Sequence, residues 1–284
     1  MQQTFRLIID CPDQIGLVAA VSEFLAQQQA TILEANHHSD RQLGRFFMRH
    51  EIMADTVNLD KQALEQAFAP IAERFNMRWR ITDSLQKQRV ALLASHESHC
   101  LNDLLHRWHS GELACDIPCI IANHPQMKQF ADWYKVPFHW VDFKNQDKTA
   151  AFKEIATLLE AYNIDLTVLA RFMQILPDTL CEQLAGRAIN IHHSFLPSFA
   201  GAKPYQQAYE RGVKLIGATC HYVTQDLDEG PIIEQEVIRI SHSDTAADMV
   251  RKGKNCETTA LAAGVRYHLE DRVIIHQNKT VVFA

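Results

Sequence analysis

Residues 164–193 read IDLTVLARFMQILPDTLCEQLAGRAINIHH. IDLTVLAR is a short, largely apolar run of strand length, and AINIHH is another. Between them PDTLCEQLAG has helical character, with Pro177 near its first turn. Strand, helix and strand in this order imply a parallel crossover unit. The second strand ends on Asn190 and His192, which are two residues apart and share a face while the strand continues. Ligands of such sheets bind at the carboxyl ends of strands, which makes this end a candidate site.

The same alternation extends upstream. RVALLAS, IPCIIAN and PFHWVDF read as strands. Leu101, Leu104, Leu105 and Trp108 mark one helix, PQMKQFADWYK a second, and Phe152, Ile155, Ala156 and Leu159 a third. Together they predict an α/β domain with a Rossmann-like, mostly parallel sheet covered on both faces.

Before residue 84 the pattern differs. TFRLIIDC reads as a strand, followed by a helix marked by Leu17, Val18, Val21, Phe24 and Leu25. TILEANHH and RFFMRHEIMA follow as strands. Leu64, Phe68, Ile71 and Phe75 mark a helix capped by Asn58 or Asp60, with Pro70 placed to bend it, and MRWRIT closes as a strand. This βαββαβ order predicts a ferredoxin-like domain over residues 1–83, a short linker at 84–88 and a second domain over 89–284.

The net charge of −6 and the lack of basic runs beyond RKGK at 251–254 argue against a nucleic-acid partner. No apolar run has the length of a membrane span, and the N-terminus lacks signal-peptide character, so a cytoplasmic location is expected. The seven cysteines form no Cys-x-x-Cys pair and read as reduced, packed thiols. No metal site is expected.

Downstream, CHYVTQDLDEGPII carries His221, Asp226, Asp228 and Glu229 in a loop between apparent strands. An amide, an imidazole and a returning carboxylate suit chemistry at a carbonyl carbon. Asn190 can donate to an oxyanion, His192 can move a proton or supply positive charge, and a carboxylate can orient both imidazole and water. Ser194 does not stand in a nucleophile elbow, so attack by an external nucleophile is favoured. His193 is expected to point the other way as a structural residue. His221 is divided between supporting the site and simple packing.

NIHHSFLPSFAGAKPYQQAYERG, GATCHYVTQDLDEGPIIEQ and LARFMQIL together resemble the formyltransferases that use 10-formyltetrahydrofolate. The resemblance covers residues 88–284. It implies Asn190, His192 and Asp228 as catalytic residues, and a folate pocket including Phe172, Met173, Gln174, Ile175, Leu176, Gly201, Thr224 and Asp226. His221 and Ser194 would support it. The first domain resembles an ACT domain, with Asp13 and Gly16 on its Asp-x-x-Gly turn as candidates for an amino-acid effector. An ACT domain followed by this second domain resembles the formyltetrahydrofolate deformylases along the whole chain. That resemblance implies hydrolysis of 10-formyltetrahydrofolate to formate and tetrahydrofolate, serving purine and one-carbon metabolism. It also implies no tightly bound cofactor, glycine or methionine as effector, and a homo-oligomer.

One feature bears on hydrolysis against transfer. Glycinamide ribonucleotide formyltransferases hold a phosphate on a glycine-rich turn after the first strand, and the corresponding turn here, ASHESHCLND, has no glycine and adds Glu97. His96 and His99 could line the space once used by an acceptor. Transfer to a small amine, and a non-catalytic folate or amino-acid sensor, remain the alternatives.

Overall fold

A computed structural model describes residues 2–197 and 204–284. It separates into two units, which are taken in turn.

The first unit is built from β1 (Thr4–Pro12), α1 (Leu17–Gln27), β2 (Ile32–Asp40), β3 (Arg45–Met53), α2 (Lys61–Arg74) and β4 (Arg78–Asp83). Its sheet has the order β2-β3-β1-β4, antiparallel throughout, as the βαββαβ pattern requires. Gly16 starts α1 in a left-handed conformation, φ 95°, that favours glycine. The Asp60 side chain caps α2 by accepting from the Ala63 amide at 2.8 Å. That helix continues through Pro70. Leu7, Ile9, Leu17, Val21, Phe24 and Phe68 join one core between sheet and helices.

The second unit holds β5 (Gln88–Ala94), α3 (His99–His109), β6 (Cys115–Ala122), α4 (Lys128–Tyr134), β7 (Phe138–Trp140), α5 (Lys148–Ala161), β8 (Leu166–Ala170), α6 (Asp178–Gln183), β9 (Ala188–His192), α7 (Pro204–Arg211), β10 (Leu215–Tyr222), β11 (Ile232–Arg239) and α8 (Ala246–Leu269). Sheet order is β11-β10-β9-β8-β5-β6-β7. The strands from β7 to β9 pair in parallel, whereas β10 and β11 add as an antiparallel edge. Ala91 and Leu93 of β5 pack with Phe152, Ile155 and Leu180 on one face. Alternation sends Val90 and Leu92, equally buried, to the other. Every residue of β8 is buried, the mark of a strand covered on both faces.

The expected domain boundary needs one correction. After α8 the chain forms a two-stranded ribbon, β12 (Val273–His276) and β13 (Lys279–Val282). Residues 270–276 and 281–284 belong to the first unit, not the second. The reason is the second face of the first unit's sheet, where Ile8 and Phe47 pack on Ile274 and Phe283. Arg49, fully buried, binds Glu34, Glu51 and the Glu270 carbonyl, and Arg272 returns to Glu34 at 2.9 Å. Cover on both sides of the sheet accounts for the consecutive buried residues Leu7, Ile8 and Ile9 of β1. The remaining break falls between Lys87 and Gln88. Among the described residues, no helix is long and apolar enough to cross a membrane.

Next to Arg49, His50 is 2% exposed, and burial followed by the charge of His37 lowers its pKa to about 4. Between pH 6.5 and 4 the unfolded chain binds this proton and the folded chain does not, so stability falls as pH drops through that window. The contribution is about 3 kcal/mol. Denaturant melts of the wild type and His50→Gln at pH 7 and pH 4.5 should show a smaller pH-dependent loss in the variant. An equal loss would remove His50 as a source.

Candidate functional site

The end of β9 and the loop after β10 build the site. Asn190 and His192 project from β9, and antiparallel pairing sets His221 opposite Asn190 and Thr219 opposite His192. Directly opposed residues share a face of the sheet. The Asn190 Nδ2 therefore lies 3.2 Å from His221 Nε2. His221 Nδ1 lies 2.9 Å from the Tyr222 carbonyl, which only accepts, so Nδ1 carries the proton. Burial lowers the His221 pKa and keeps the ring neutral. Its Nε2 is then an acceptor, and the Asn190 amide must donate to it. One N–H of Asn190 is fixed in this way, and the side chain stands in the wall of a cavity.

Asp228 enters from the β10–β11 loop in a left-handed conformation, φ 58°. Gly230 permits this return, because a Cβ there would sit 1.8 Å from the Tyr222 carbonyl oxygen. Asp228 Oδ2 lies 3.1 Å from His192 Nδ1. Burial raises the Asp228 pKa, but the His192 hydrogen bond and the imidazoles clustered around the carboxylate outweigh it, leaving the group below its ordinary value. An ionised carboxylate only accepts, so His192 donates through Nδ1. His192 Nε2 is buried and has no hydrogen-bond partner among the described residues. The second Asp228 oxygen is 3.8 Å from His221 Nε2, which is no ion pair while that ring is neutral.

These groups stand at a cavity of about 420 Å³ lined by Phe172, Met173, Gln174, Ile175 and Leu176, by Thr224 and Asp226, and by the catalytic candidates. Phe172 and Leu176 are buried in the adjoining core, whereas Met173 and Ile175 are exposed, so the segment is half core and half wall. A flat apolar ligand fits such a wall. Thr224 donates to the Asp226 carbonyl at 3.0 Å and steadies the loop. The buried Ser194 contributes its carbonyl, which accepts from the Thr219 hydroxyl at 3.0 Å. Gly201 lies outside the described residues.

His193 departs from expectation. Strand β9 stops at His192, so alternation no longer applies, and His193 lines the same cavity with its ring centroid 5.1 Å from that of His192. Burial, then the charges of Arg171 and His192, lowers its pKa to about 4. In the first unit, Asp13 accepts a hydrogen bond from Ser39, and its amide donates to Gly44 at 2.9 Å, beside the turn that carries Gly16. His96 stacks edge-on with His124, while His99 binds Glu257 on α8. Glu257 stands in no recognisable motif. Its signal was a carboxylate among Met249, Gly253, Cys256, Ala260 and Leu261 on a buried helix face.

Comparison with known proteins agrees with this architecture. A formyl transferase family model matches residues 88–265, and an ACT domain model matches residues 5–69. A formyltetrahydrofolate deformylase of Bacillus subtilis is 47% identical over 98% of this chain and 93% of its own. One from Synechocystis is also 47% identical, over 99% of each chain. The crystal structure of a formyltetrahydrofolate deformylase from Pseudomonas syringae superposes with a TM-score of 0.97 at 59% identity, covering 100% of this chain and 95% of its own. A glycinamide ribonucleotide transformylase from Symbiobacterium toebii matches 70% of this chain and 95% of its own at 28% identity, TM-score 0.66. Fold and site thus define a formyl transferase-type domain joined to an ACT domain. Within that class, the chain belongs to the formyltetrahydrofolate deformylase family.

If His221 orients the Asn190 amide, Asn190→Ala should lower kcat by about 10²–10³. His221→Phe should lower it less, and both should leave KM within a few-fold. A His221→Phe enzyme with unchanged kcat would reduce His221 to packing.

Proposed function

We infer that this chain hydrolyses 10-formyltetrahydrofolate to formate and tetrahydrofolate, with water as the acceptor. The observation that carries the mechanism is the Asp228–His192 contact of 3.1 Å at the wall of the cavity, beside an amide donor. Asp228, held ionised, accepts a proton from a water molecule as its oxygen attacks the formyl carbon. The free N–H of Asn190 and a proton on His192 Nε2 meet the oxyanion. N10 then takes a proton, delivered by His192 or water, the C–N10 bond breaks, and formate leaves. The pterin lies along Phe172–Leu176, with the Thr224–Asp228 loop closing its edge. No residue forms a covalent intermediate.

The reaction returns tetrahydrofolate to the pool and supplies formate for purine and one-carbon metabolism, which fits a cytoplasmic enzyme. The ACT domain supports control by a small amino acid, glycine or methionine, at the turn bearing Asp13 and Gly16, within a homo-oligomer.

Purified protein should release formate and tetrahydrofolate in equal amounts from 10-formyltetrahydrofolate with no acceptor added. Asp228→Asn and His192→Ala should each lose about 10²–10⁴ in kcat. A wild type that releases formate only when an amine is supplied would refute the reading. Glycine or methionine should raise the melting temperature, and Asp13→Ala should abolish the shift. No shift with any amino acid would remove the effector role.

A further inference from the structure

A second group of polar side chains lies next to the cavity, and hydrolysis does not use it. Strands β5, β6 and β7 run outward on one side of the sheet, and β8 to β11 on the other, so the chain reverses between β5 and β8. The crevice over the carboxyl ends at such a reversal is the ordinary ligand site of an open α/β sheet. Here the protein's own side chains occupy it. Glu257 of α8 is 1% exposed. It accepts from the Tyr205 hydroxyl at 2.7 Å, lies 2.7 Å from His99 Nε2, and is 3.4 Å from Arg171 Nε. His99 opens α3 on the β5 side and Arg171 follows β8, so one carboxylate bridges the crevice.

Several features look made for this arrangement. A Cβ at Gly253 would meet the Tyr205 ring at 2.2 Å, so a glycine one turn before Glu257 lets the hydroxyl reach it. Arg171 adopts φ 63°, a left-handed conformation that a non-glycine residue rarely adopts. Glu97, in the turn after β5, is ion-paired with Lys254 of α8. Arg171 and Lys254 are therefore each paired with a carboxylate. Burial raises the Glu257 pKa, but His99, Arg171 and Tyr205 together hold it below its ordinary value. Arg171 also lines the catalytic cavity beside His193.

We propose that Arg171, Glu257, His99 and Tyr205 form a plug over the β5–β8 crevice that excludes an amine acceptor and so commits the formyl group to water. The proposal rests on the hydrolytic reading above and identifies the residues that set its specificity. Transfer would break the same C–N10 bond, form a C–N bond to the amine and pass an amine proton to N10. It differs from hydrolysis only in the nucleophile, so access decides the outcome. The transformylase relatives share the fold of this unit and are named for a ribonucleotide, a ligand larger than water and anionic.

The test is the ratio of formylated amine to formate, measured with 10-formyltetrahydrofolate and millimolar glycinamide ribonucleotide. Arg171→Gly suits the backbone and removes the guanidinium; Glu257→Gln keeps the size and weakens its hold on Arg171 and His99. The ratio should rise at least about tenfold over wild type in Arg171→Gly, and further in the double variant. A purely structural cluster would alter stability and leave the ratio unchanged. Variants that still hydrolyse at the wild-type ratio overturn the plug and leave hydrolysis standing, whereas a wild type that releases no formate defeats the underlying reading. If Arg171→Gly fails to fold, Glu257→Gln decides by the same ratio. If a folded variant has no turnover, calorimetric titration with glycinamide ribonucleotide decides: binding that wild type lacks supports the plug, and none overturns it.

Discussion

The site depends on the antiparallel pairing of β10 with β9. Parallel strands alone would leave Asn190 and His192 as two polar side chains at a sheet end. The antiparallel strand sets His221 opposite Asn190 and then returns through the loop that carries Asp228. A shift of one residue in that register would turn His221 to the other face and remove the acceptor that fixes the Asn190 amide. Gly230 and the left-handed Asp228 complete the return within a short turn.

Electrostatics follow from that geometry. Asp228 stays ionised because the imidazoles around it outweigh its burial. His221 and His193 are held neutral by burial, and the short contact of Asp228 is with His192. Asp228, partly exposed, and Glu257, buried, differ in their surroundings. Asp228 faces the cavity with room for water, whereas Glu257 is enclosed by Tyr205, His99 and Arg171. One lines the cavity, and the other ties together three side chains beside it.

Much of this was legible in the sequence because the local signals agree. Periodicity gave both sheets, Asp60 marked its helix start, and the spacing of Asn190 and His192 put them on one face. What could not be read depended on long-range pairing. The role of His221 needed the β9–β10 register, and the position of His193 needed the point at which β9 ends. The place of the tail could not be read, because its apolar residues, Ile274 and Phe283, show nothing of the sheet face they cover. Glu257 was hidden because its partners come from three separate segments.

The central claim is that Asp228 activates water and does not itself attack the formyl carbon. A single turnover in ¹⁸O-water, with enzyme in excess over 10-formyltetrahydrofolate, tests it most directly. The account predicts formate carrying one ¹⁸O atom and no label in the protein. Unlabelled formate from the first turnover, with ¹⁸O recovered in the Asp228 carboxylate, would contradict it.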